Sequence, residues 1–295
     1  MPTPKELLHI RQGYPLDFKI AMSQKRIREW YQYWGGEVYV AFSGGKDSTV
    51  VLHLVRSLYP DVPAVFFDTG LEYPEIKEFV RTISNVVVIK PKLSFREVVD
   101  KYGFPVVSRE TAQRIYEARN TKSDKLRLAR WFNKKQRVPL KWQYLIGTDI
   151  PISAFCCEIM KKRPAYKYEK ETGQHPILGS RAAESSTRIQ RYIKFGCNAF
   201  SASRPTSQPI AFWTNDDVIT YLHSNNVPYS KIYDMGYERT GCMFCMFGVQ
   251  TEPEGNTRFD RMRRTHPKIY KYCMDNLGLR PILETITKRR WDDGE

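Results

Sequence analysis

Apolar runs alternate with amphipathic segments along the first third of the chain. Short runs rich in β-branched and aromatic residues occupy 38–42, 62–67 and 85–89, and such runs are typical of buried strands. The segment after the first run places Val50, Val51 and Leu54 at helical spacing. This alternation predicts parallel strands joined by crossover helices. We therefore expect an α/β fold with a Rossmann-like, doubly wound parallel sheet.

The same pattern extends on both sides of this region. Residues 17–34 predict an amphipathic helix that packs on the sheet. Residues 176–181 predict a further strand that leads into a polar loop, and Thr214 is expected to cap the helix that follows it. From Tyr229 onward the pattern loosens into a cysteine-bearing loop and a basic helical tail. The C-terminal part therefore reads as a helical extension of the sheet domain.

The first strand runs into Ser43-Gly-Gly-Lys-Asp-Ser48 and then into a helix. Glycines in such a turn let backbone N–H groups close on a phosphate, and the helix dipole favours negative charge there. Lys46 adds a positive charge, and the two serines add hydroxyl donors. The spacing is not that of the Walker loop. Asp68 follows the second strand in the same way that Ser43–Ser48 follows the first. Both are therefore predicted at the carboxyl edge of the sheet, where ligands bind in parallel sheets.

Composition and charge narrow the class of protein. The 295 residues are 41% hydrophobic and 27% charged, as in globular enzymes. Lys and Arg number 47 against 32 Asp and Glu, and the net charge of +15 favours nucleotides or nucleic acid as ligands. No apolar run approaches the roughly 20 residues that span a bilayer, and the first residues lack the apolar core of a signal peptide. We expect a cytoplasmic location and no membrane partner.

A basic insertion lies between Arg109 and Lys141. It holds eleven Lys or Arg residues and three acidic residues, a local net charge of +8. It also contains three aromatic residues, namely Tyr116, Trp131 and Phe132, and Trp142 adjoins it. Two interpretations are open: a solvated helical face with a few core anchors, or an arm that grips a polyanion and stacks bases on its rings.

Four of the six cysteines stand in two pairs, Cys156-Cys157 and Cys242-Met-Phe-Cys245, and the second pair follows the first by 85 residues (242 − 157). Thiolates are the ligands of iron–sulfur clusters and of structural zinc. Adjacent side chains diverge, which suits the separated corners of a 4Fe–4S cluster better than tetrahedral zinc. Zinc and plain buried thiols stay open. Cys197 reads as an ordinary loop thiol, with an alternate ligand or sulfur carrier as the other interpretation.

Several motifs resemble those of the phosphoadenylyl-sulfate (PAPS) and adenylyl-sulfate reductase superfamily, which includes the PP-loop ATP pyrophosphatases. Ser43–Ser48 resembles the PP-loop, and the segment from Cys156 to Pro164 is similar to Cys-Cys-x-x-x-Lys-x-x-Pro. Residues 179–188 resemble Gly-x-Arg-x-x-Glu-Ser-x-x-Arg. The resemblance implies an adenine nucleotide alpha hydrolase-like fold. It also implies nucleotide contacts by Ser43, Gly44, Gly45, Lys46, Asp47, Ser48, Asp68, Thr69, Gly70, Lys161, Gly179, Arg181, Glu184 and Ser185.

One motif of the reductases is missing. Their nucleophile lies in a C-terminal Glu-Cys-Gly-Leu/Ile-His motif, whereas the last cysteine here, Cys273, lacks the flanking Gly and His. The cysteine pairs resemble the cluster motif of the adenylyl-sulfate reductases, which implies a 4Fe–4S cluster on Cys156, Cys157, Cys242 and Cys245. We expect three regions: an N-terminal helix (1–35), a nucleotide-binding domain (36–228) with the insertion 109–141, and an extension (229–295).

The expected function is that of an enzyme that binds ATP and reacts at its α-phosphate. The catalytic residues are expected to be Lys46, Asp47, Arg181 and Arg188. Asp47 is expected to bind Mg²⁺ or to cap its helix. The purpose is expected to be sulfur transfer or thiolation, with a nucleic acid or a sulfur-carrier protein as partner. Two alternatives stay open: a sulfite-forming reductase whose nucleophile comes from elsewhere, and a non-catalytic, nucleotide-gated nucleic-acid-binding protein.

Overall fold

Eight strands occur in the computed structural model, which describes residues 3–291. In chain order they are β1 (Val38–Ala41), β2 (Ala64–Phe67), β3 (Val86–Ile89), β4 (Val106–Val107), β5 (His175–Leu178), β6 (Asn198–Ala199), β7 (Thr206–Ser207) and β8 (Met246–Phe247). Six of them form one sheet in the order β3-β2-β1-β5-β7-β6. All neighbours in this sheet are parallel except β6 and β7. Because the chain winds outward from β1 in both directions, the predicted doubly wound α/β sheet is confirmed.

The helices connect these strands and follow them. The α-helices are Pro4–Gln12, Leu16–Tyr33, Lys46–Arg56, Pro74–Arg81, Phe95–Tyr102, Arg109–Asn120, Asp124–Phe132, Phe155–Cys157, Arg163–Thr172, Ser186–Phe195, Asn215–Ser224, Arg258–Thr265, Pro267–Lys271 and Leu279–Thr287. Two π-helical turns, Glu158–Lys162 and Tyr272–Asn276, and several short 3-10 turns complete them. No helix within residues 3–291 has both the length and the apolar character that crossing a membrane requires.

The described residues fall into two units. The first comprises 3–68, 72–90 and 164–240 and carries the six-stranded sheet. The second comprises 69–71, 91–163 and 241–291 and carries the short pair β4 and β8. The segment 229–240, which the sequence analysis grouped with the C-terminal extension, lies in the first unit. The three-region division stays a prediction.

The core of the first unit follows from the apolar pattern of its strands and helices. Val38, Tyr39 and Val40 of β1 are fully buried, as a strand covered on both faces requires. The predicted helix 17–34 is confirmed as Leu16–Tyr33, and it buries Ile27 and Trp30. The predicted cap is confirmed too, because the Thr214 hydroxyl accepts the backbone N–H of Asp217 at 3.2 Å.

Lys19 is a charged residue buried in this core. Lys19 is 2% exposed, and its ammonium donates to an Asp217 carboxylate oxygen at 2.6 Å and to the Gln12 carbonyl at 2.7 Å. The Asp217 carboxylate also accepts the Thr214 backbone N–H at 2.6 Å. The ion pair thus joins the helix Leu16–Tyr33 to the start of the helix Asn215–Ser224.

Asp217→Asn is expected to lower the free energy of unfolding by about 3 kcal/mol, because it leaves the Lys19 ammonium buried without a counter-charge. The matched control is Asp216→Asn on the exposed side of the same helical turn, with an expected loss below about 1 kcal/mol. Urea unfolding measures both. Equal losses in the two variants would show that the buried pair of Lys19 and Asp217 contributes no more to the free energy of unfolding than an exposed carboxylate does.

Candidate active site

Ser43–Ser48 forms a tight turn between β1 and the helix Lys46–Arg56. Gly44 has a φ of +70°, and a Cβ there would lie 2.8 Å from Cγ2 of Ile76, so the turn requires glycine on both counts. The Ser43 backbone N–H donates to the Ser48 hydroxyl at 3.2 Å, and that hydroxyl donates to the Gly45 carbonyl at 2.8 Å. The first N–H groups of a helix lack intrahelical acceptors. The turn therefore lies at a helix N-terminus, where the helix dipole favours an anion.

The loop after β5 lies directly against this turn. A Cβ on Gly179 would lie 2.7 Å from the carbonyl carbon of Asp47 and 2.7 Å from the backbone nitrogen of Ser48. Because these are backbone atoms at the start of a helix, they cannot move aside cheaply. Only glycine permits this contact. The two loops follow neighbouring parallel strands, which pair at Ala41 and Leu178.

Arginines neutralise the carboxylates of the site. The Arg181 guanidinium donates to the Asp47 carboxylate, and Arg181 is 5% exposed. Glu184 forms ion pairs with Arg188 and, at 3.1 Å, with Arg239. It also accepts the Arg181 backbone N–H at 3.0 Å. Neither carboxylate therefore offers an uncompensated negative charge.

These elements enclose a cavity of about 250 Å³ in the first unit. Its lining joins the predicted loops after β1 and β5 with the segment 229–240. The lining residues are Ala41, Ser43, Gly45, Asp47, Ser48, Leu178, Gly179, Ser180, Glu184, Arg188, Tyr233, Arg239 and Thr240. Hydroxyl, backbone and guanidinium donors dominate this set, which suits phosphate or sulfate groups.

Sequence reasoning missed the part of the site that comes from 229–240. The Tyr233 hydroxyl accepts the Lys46 backbone N–H at 2.8 Å and lies 3.2 Å from the Thr240 hydroxyl. The Lys46 ammonium donates to the Glu238 carbonyl at 2.5 Å and lies 5.3 Å from the centre of the Tyr233 ring. The tyrosines at 229, 233 and 237 recur every four residues, and this spacing was the available signal.

Burial and like charges act on the cations of the site. Burial lowers the pKa of Lys46, Asp47 opposes the shift, and the charge of Arg181 adds to it. Burial also lowers the pKa of Arg188, as do Arg239 and Arg181, against the opposite effect of Asp47. A bound anion would stabilise the charged form of each group. The cluster is therefore electrostatically prepared for a negative ligand.

Other predicted site residues lie elsewhere. Asp68 forms an ion pair with Lys77 at 2.9 Å. Thr69 and Gly70 belong to the second unit, where the Thr69 hydroxyl accepts the Leu71 backbone N–H at 3.3 Å. Ser185 caps the helix Ser186–Phe195 by accepting the Arg188 backbone N–H at 3.3 Å. Nucleotide contact by these residues stays a prediction.

The four paired cysteines all belong to the second unit. The sulfurs of Cys156 and Cys157 lie 3.9 Å apart, and a π-helical turn holding Lys161 follows them at once. Such turns often mark functional sites. Among residues 3–291, no group of three or more His, Cys, Asp or Glu side chains has the arrangement of a metal-ion site.

The electrostatics nonetheless couple these thiols. The pKa of Cys156 is raised by the hydrogen bond between Cys156 and Cys157. Burial and the charges of Cys157, Cys245 and Cys242 raise it further. The same hydrogen bond lowers the pKa of Cys157, and Lys161 with Arg109 and Lys162 also favours its thiolate. The pKa of Cys156 thus depends on its neighbour Cys157 and on the two cysteines of the other segment. In kind and number, this donor set fits a cluster that takes four separated thiolates.

The two unpaired cysteines are buried. Burial raises the pKa of Cys197 to about 12 and that of Cys273 to about 12. The Cys273 thiol donates to the Tyr270 carbonyl at 3.2 Å. The thiolate is the nucleophilic form of cysteine, so neither residue is activated for attack at neutral pH.

The basic insertion forms the helices Arg109–Asn120 and Asp124–Phe132, and several of its arginines serve its own structure. Arg119 donates to the carbonyls of Ile146 and Ile150 at 3.0 and 2.6 Å. Arg130 pairs with Glu117 at 2.6 Å. These guanidinium groups hold loops and acids rather than facing solvent freely. Binding of a polyanion by the insertion stays a prediction.

Gly179→Ala is expected to weaken binding of ATP or adenylyl sulfate at least tenfold, about 1.4 kcal/mol, because the new Cβ would separate the two loops. Titration calorimetry measures it. Gly147→Ala is the control, since a Cβ there meets nothing within 4 Å and no left-handed φ is involved. Unchanged affinity in Gly179→Ala would contradict the placement of the ligand between the loops.

One family model matches most of the chain. The phosphoadenosine phosphosulfate reductase domain matches residues 37–247. An uncharacterized protein of Methanocaldococcus jannaschii is 27% identical over 260 residues, which cover 85% of this chain and 51% of that protein. The adenosine 5′-phosphosulfate reductase of Geobacillus kaustophilus is 29% identical over 223 residues, which cover 73% of this chain and 75% of that enzyme. The chain spans about half the length of the two M. jannaschii relatives it matches.

Among solved structures, a PAPS reductase from Candida auris in complex with phosphate has a TM-score of 0.45 and 18% identity, over 77% of this chain and 93% of that one. The family match covers the turn at Ser43–Ser48, the loop that follows β5, and both cysteine pairs. The chain therefore belongs to the phosphoadenosine phosphosulfate reductase domain family, whose named members are enzymes of sulfur metabolism.

Proposed function

We propose that this chain is an adenine-nucleotide-dependent enzyme of sulfur transfer that reacts at the α-phosphate of ATP. The observation that carries the proposal is the cavity at Ser43–Ser48, in which both lining carboxylates are paired with arginines and the other polar lining residues include hydroxyl and guanidinium groups. Such a cavity favours the phosphate end of a nucleotide. A nucleophilic atom of the acceptor would bond to the α-phosphorus, and the bond to the β-phosphate oxygen would break to release pyrophosphate.

The residues of this chain would act by position and charge. The turn would hold the β- and γ-phosphates on backbone N–H groups and on the Ser43 and Ser48 hydroxyls. Lys46, released from the Glu238 carbonyl, and Arg188 would stabilise charge that develops on the leaving pyrophosphate. Arg181 would hold the loop after β5 against the turn through Asp47. These roles need no covalent intermediate on the protein.

The fit to Mg²⁺ is poor for the protein groups alone. A magnesium ion prefers carboxylate oxygens and water in octahedral geometry. Asp47 and Glu184 line the cavity, but both are engaged by guanidinium groups. The assignment of Asp47 as a Mg²⁺ ligand therefore stays a prediction.

We further propose a 4Fe–4S cluster on Cys156, Cys157, Cys242 and Cys245. The support is the presence of all four cysteines in one unit, the 3.9 Å separation of the Cys156 and Cys157 sulfurs, and the cations that favour the Cys157 thiolate. When bound, such a cluster supplies electrons or holds sulfur for transfer. The protein would provide the thiolates, and Arg109, Lys161 and Lys162 would lower the cost of their negative charge.

A second candidate function is reduction of adenylyl sulfate to sulfite. It is favoured by the relatives named adenosine 5′-phosphosulfate reductases, such as that of Lysinibacillus sphaericus, 26% identical over 221 residues. The buried state of Cys197 and Cys273 argues against it, because neither is an activated nucleophile. Reduction would need a thiol other than these two.

The protein incubated with α-labelled ATP is expected to form AMP or an adenylated acceptor together with pyrophosphate. Lys46→Met is expected to lower this rate at least about 100-fold, since it removes a charge beside the leaving group. Lys170→Met, an exposed lysine of the same unit, is the control. Formation of ADP and phosphate would contradict the proposal. Sulfite from adenylyl sulfate with a thiol reductant would favour the second candidate instead.

Protein purified without oxygen is expected to be brown and to contain about four iron and four acid-labile sulfide per chain. Cys242→Ser is expected to lose most of the iron, because a cluster ligand is removed. Cys273→Ser, which keeps a similar shape at a buried position, is expected to retain it. Stoichiometric zinc, or equal iron in the two variants, would overturn the cluster assignment.

A further inference from the structure

A second, larger cavity lies beside the first at the carboxyl end of β5. Its volume is about 780 Å³, and Leu178, the last residue of β5, lines both cavities. No motif of the sequence analysis pointed to it. The new lining comes from the end of the helix Ser186–Phe195 and from the segment 201–208, which includes β7.

The lining of this second cavity has one sign of charge. It contains three cations, three hydroxyls, one amide and no carboxylate, and the cations are Arg191, Lys194 and Arg204. Arg204 pairs with Glu169 outside the lining at 2.9 Å, so two positive charges have no ion-pair partner within residues 3–291. Such a surface favours an anion with several acceptor oxygens.

The cations are held in place before any ligand arrives. The Arg191 guanidinium donates to the buried Thr206 hydroxyl, and its carbon lies 5.6 Å from the centre of the Phe195 ring. The Lys194 ammonium lies 4.9 Å from the same ring. Burial and the nearby charge of Arg204 lower the pKa of Arg191, a cost that a bound anion would relieve.

One helix links the two cavities. Arg188 lines the first, whereas Arg191 and Lys194 line the second. Residues three apart are neighbours on a helix surface and are separated by about 4.5 Å along the axis, so Arg191 and Lys194 are adjacent cations, and Arg188, which pairs with Glu184, precedes them by one turn. Adjacent cations of this kind suit a chain of phosphates better than a single one.

We propose that the second cavity binds backbone phosphates of a nucleic-acid strand, and that this strand is the acceptor of the reaction in the first cavity. Only the role of the strand as acceptor rests on the proposed function. The binding of phosphate depends on the second cavity itself. Arg191 and Lys194 would pair with successive phosphates, while Ser201, Ser203 and Thr206 would donate to their oxygens.

The test is binding of a fluorescein-labelled 12-nucleotide single strand, followed by anisotropy over a range of salt and without ATP. Arg191→Gln/Lys194→Gln is expected to raise the Kd at least tenfold. It is also expected to reduce the slope of log K against log salt by about 1.4, at about 0.7 per contact. Lys167→Gln/Lys170→Gln removes the same charge from an exposed helix of the same unit and is expected to change little. Lys194→Gln alone, at an exposed position, serves if the double variant folds poorly.

Equal losses in the cavity variant and the control variant would overturn the proposal, because they would reduce the effect to net charge. Loss only in Lys134→Gln/Lys135→Gln would overturn it in favour of the insertion 109–141. If the protein bound inorganic phosphate but not the labelled strand, a nucleic-acid acceptor would be excluded. Pyrophosphate release from ATP is measured separately, so the proposed function can stand if this inference fails.

Discussion

The site depends on one contact between two loops, the approach of Gly179 to the backbone of Asp47 and Ser48. Parallel neighbours β1 and β5 deliver both loops to the same edge of the sheet, and only a residue without Cβ allows them to meet. The Arg181–Asp47 ion pair then spans the contact. Because the turn and the loop are fixed against each other, their backbones need little reorganisation when an anion binds, whereas the Lys46 side chain has to leave the Glu238 carbonyl. Preorganised donors of this kind are what stabilises charge in a phosphoryl-transfer site.

Charge pairing decides what the site can bind. Two carboxylates line a cavity that otherwise holds hydroxyl, backbone and guanidinium donors, and without the arginines they would repel phosphate. Arg181 compensates Asp47, while Arg188 and Arg239 share Glu184. The two carboxylates therefore position these arginines by ion pairing. Lys46, whose pKa is lowered by burial, donates to the backbone carbonyl oxygen of Glu238.

Local features of the fold were predictable and distant contacts were not. The strand, glycine turn and helix around Ser43–Ser48 follow from neighbouring residues, and so does the cap at Thr214. Tyr233 was missed because its partner Lys46 lies 187 residues away in the chain. The buried Lys19 was missed because its counter-charge Asp217 lies 198 residues away. Likewise, the charge count of the insertion 109–141 could not reveal that Arg119 and Arg130 serve internal carbonyls and acids.

The most direct measurement is a crystal structure of the chain with a non-hydrolysable ATP analogue and, in a second crystal, with adenylyl sulfate. We expect phosphate or sulfate oxygens within hydrogen-bond distance of the Ser43–Ser48 backbone and of Arg188, with the Lys46 ammonium turned from the Glu238 carbonyl to the ligand. A nucleotide bound at another place, with Lys46 still on the Glu238 carbonyl, would contradict it.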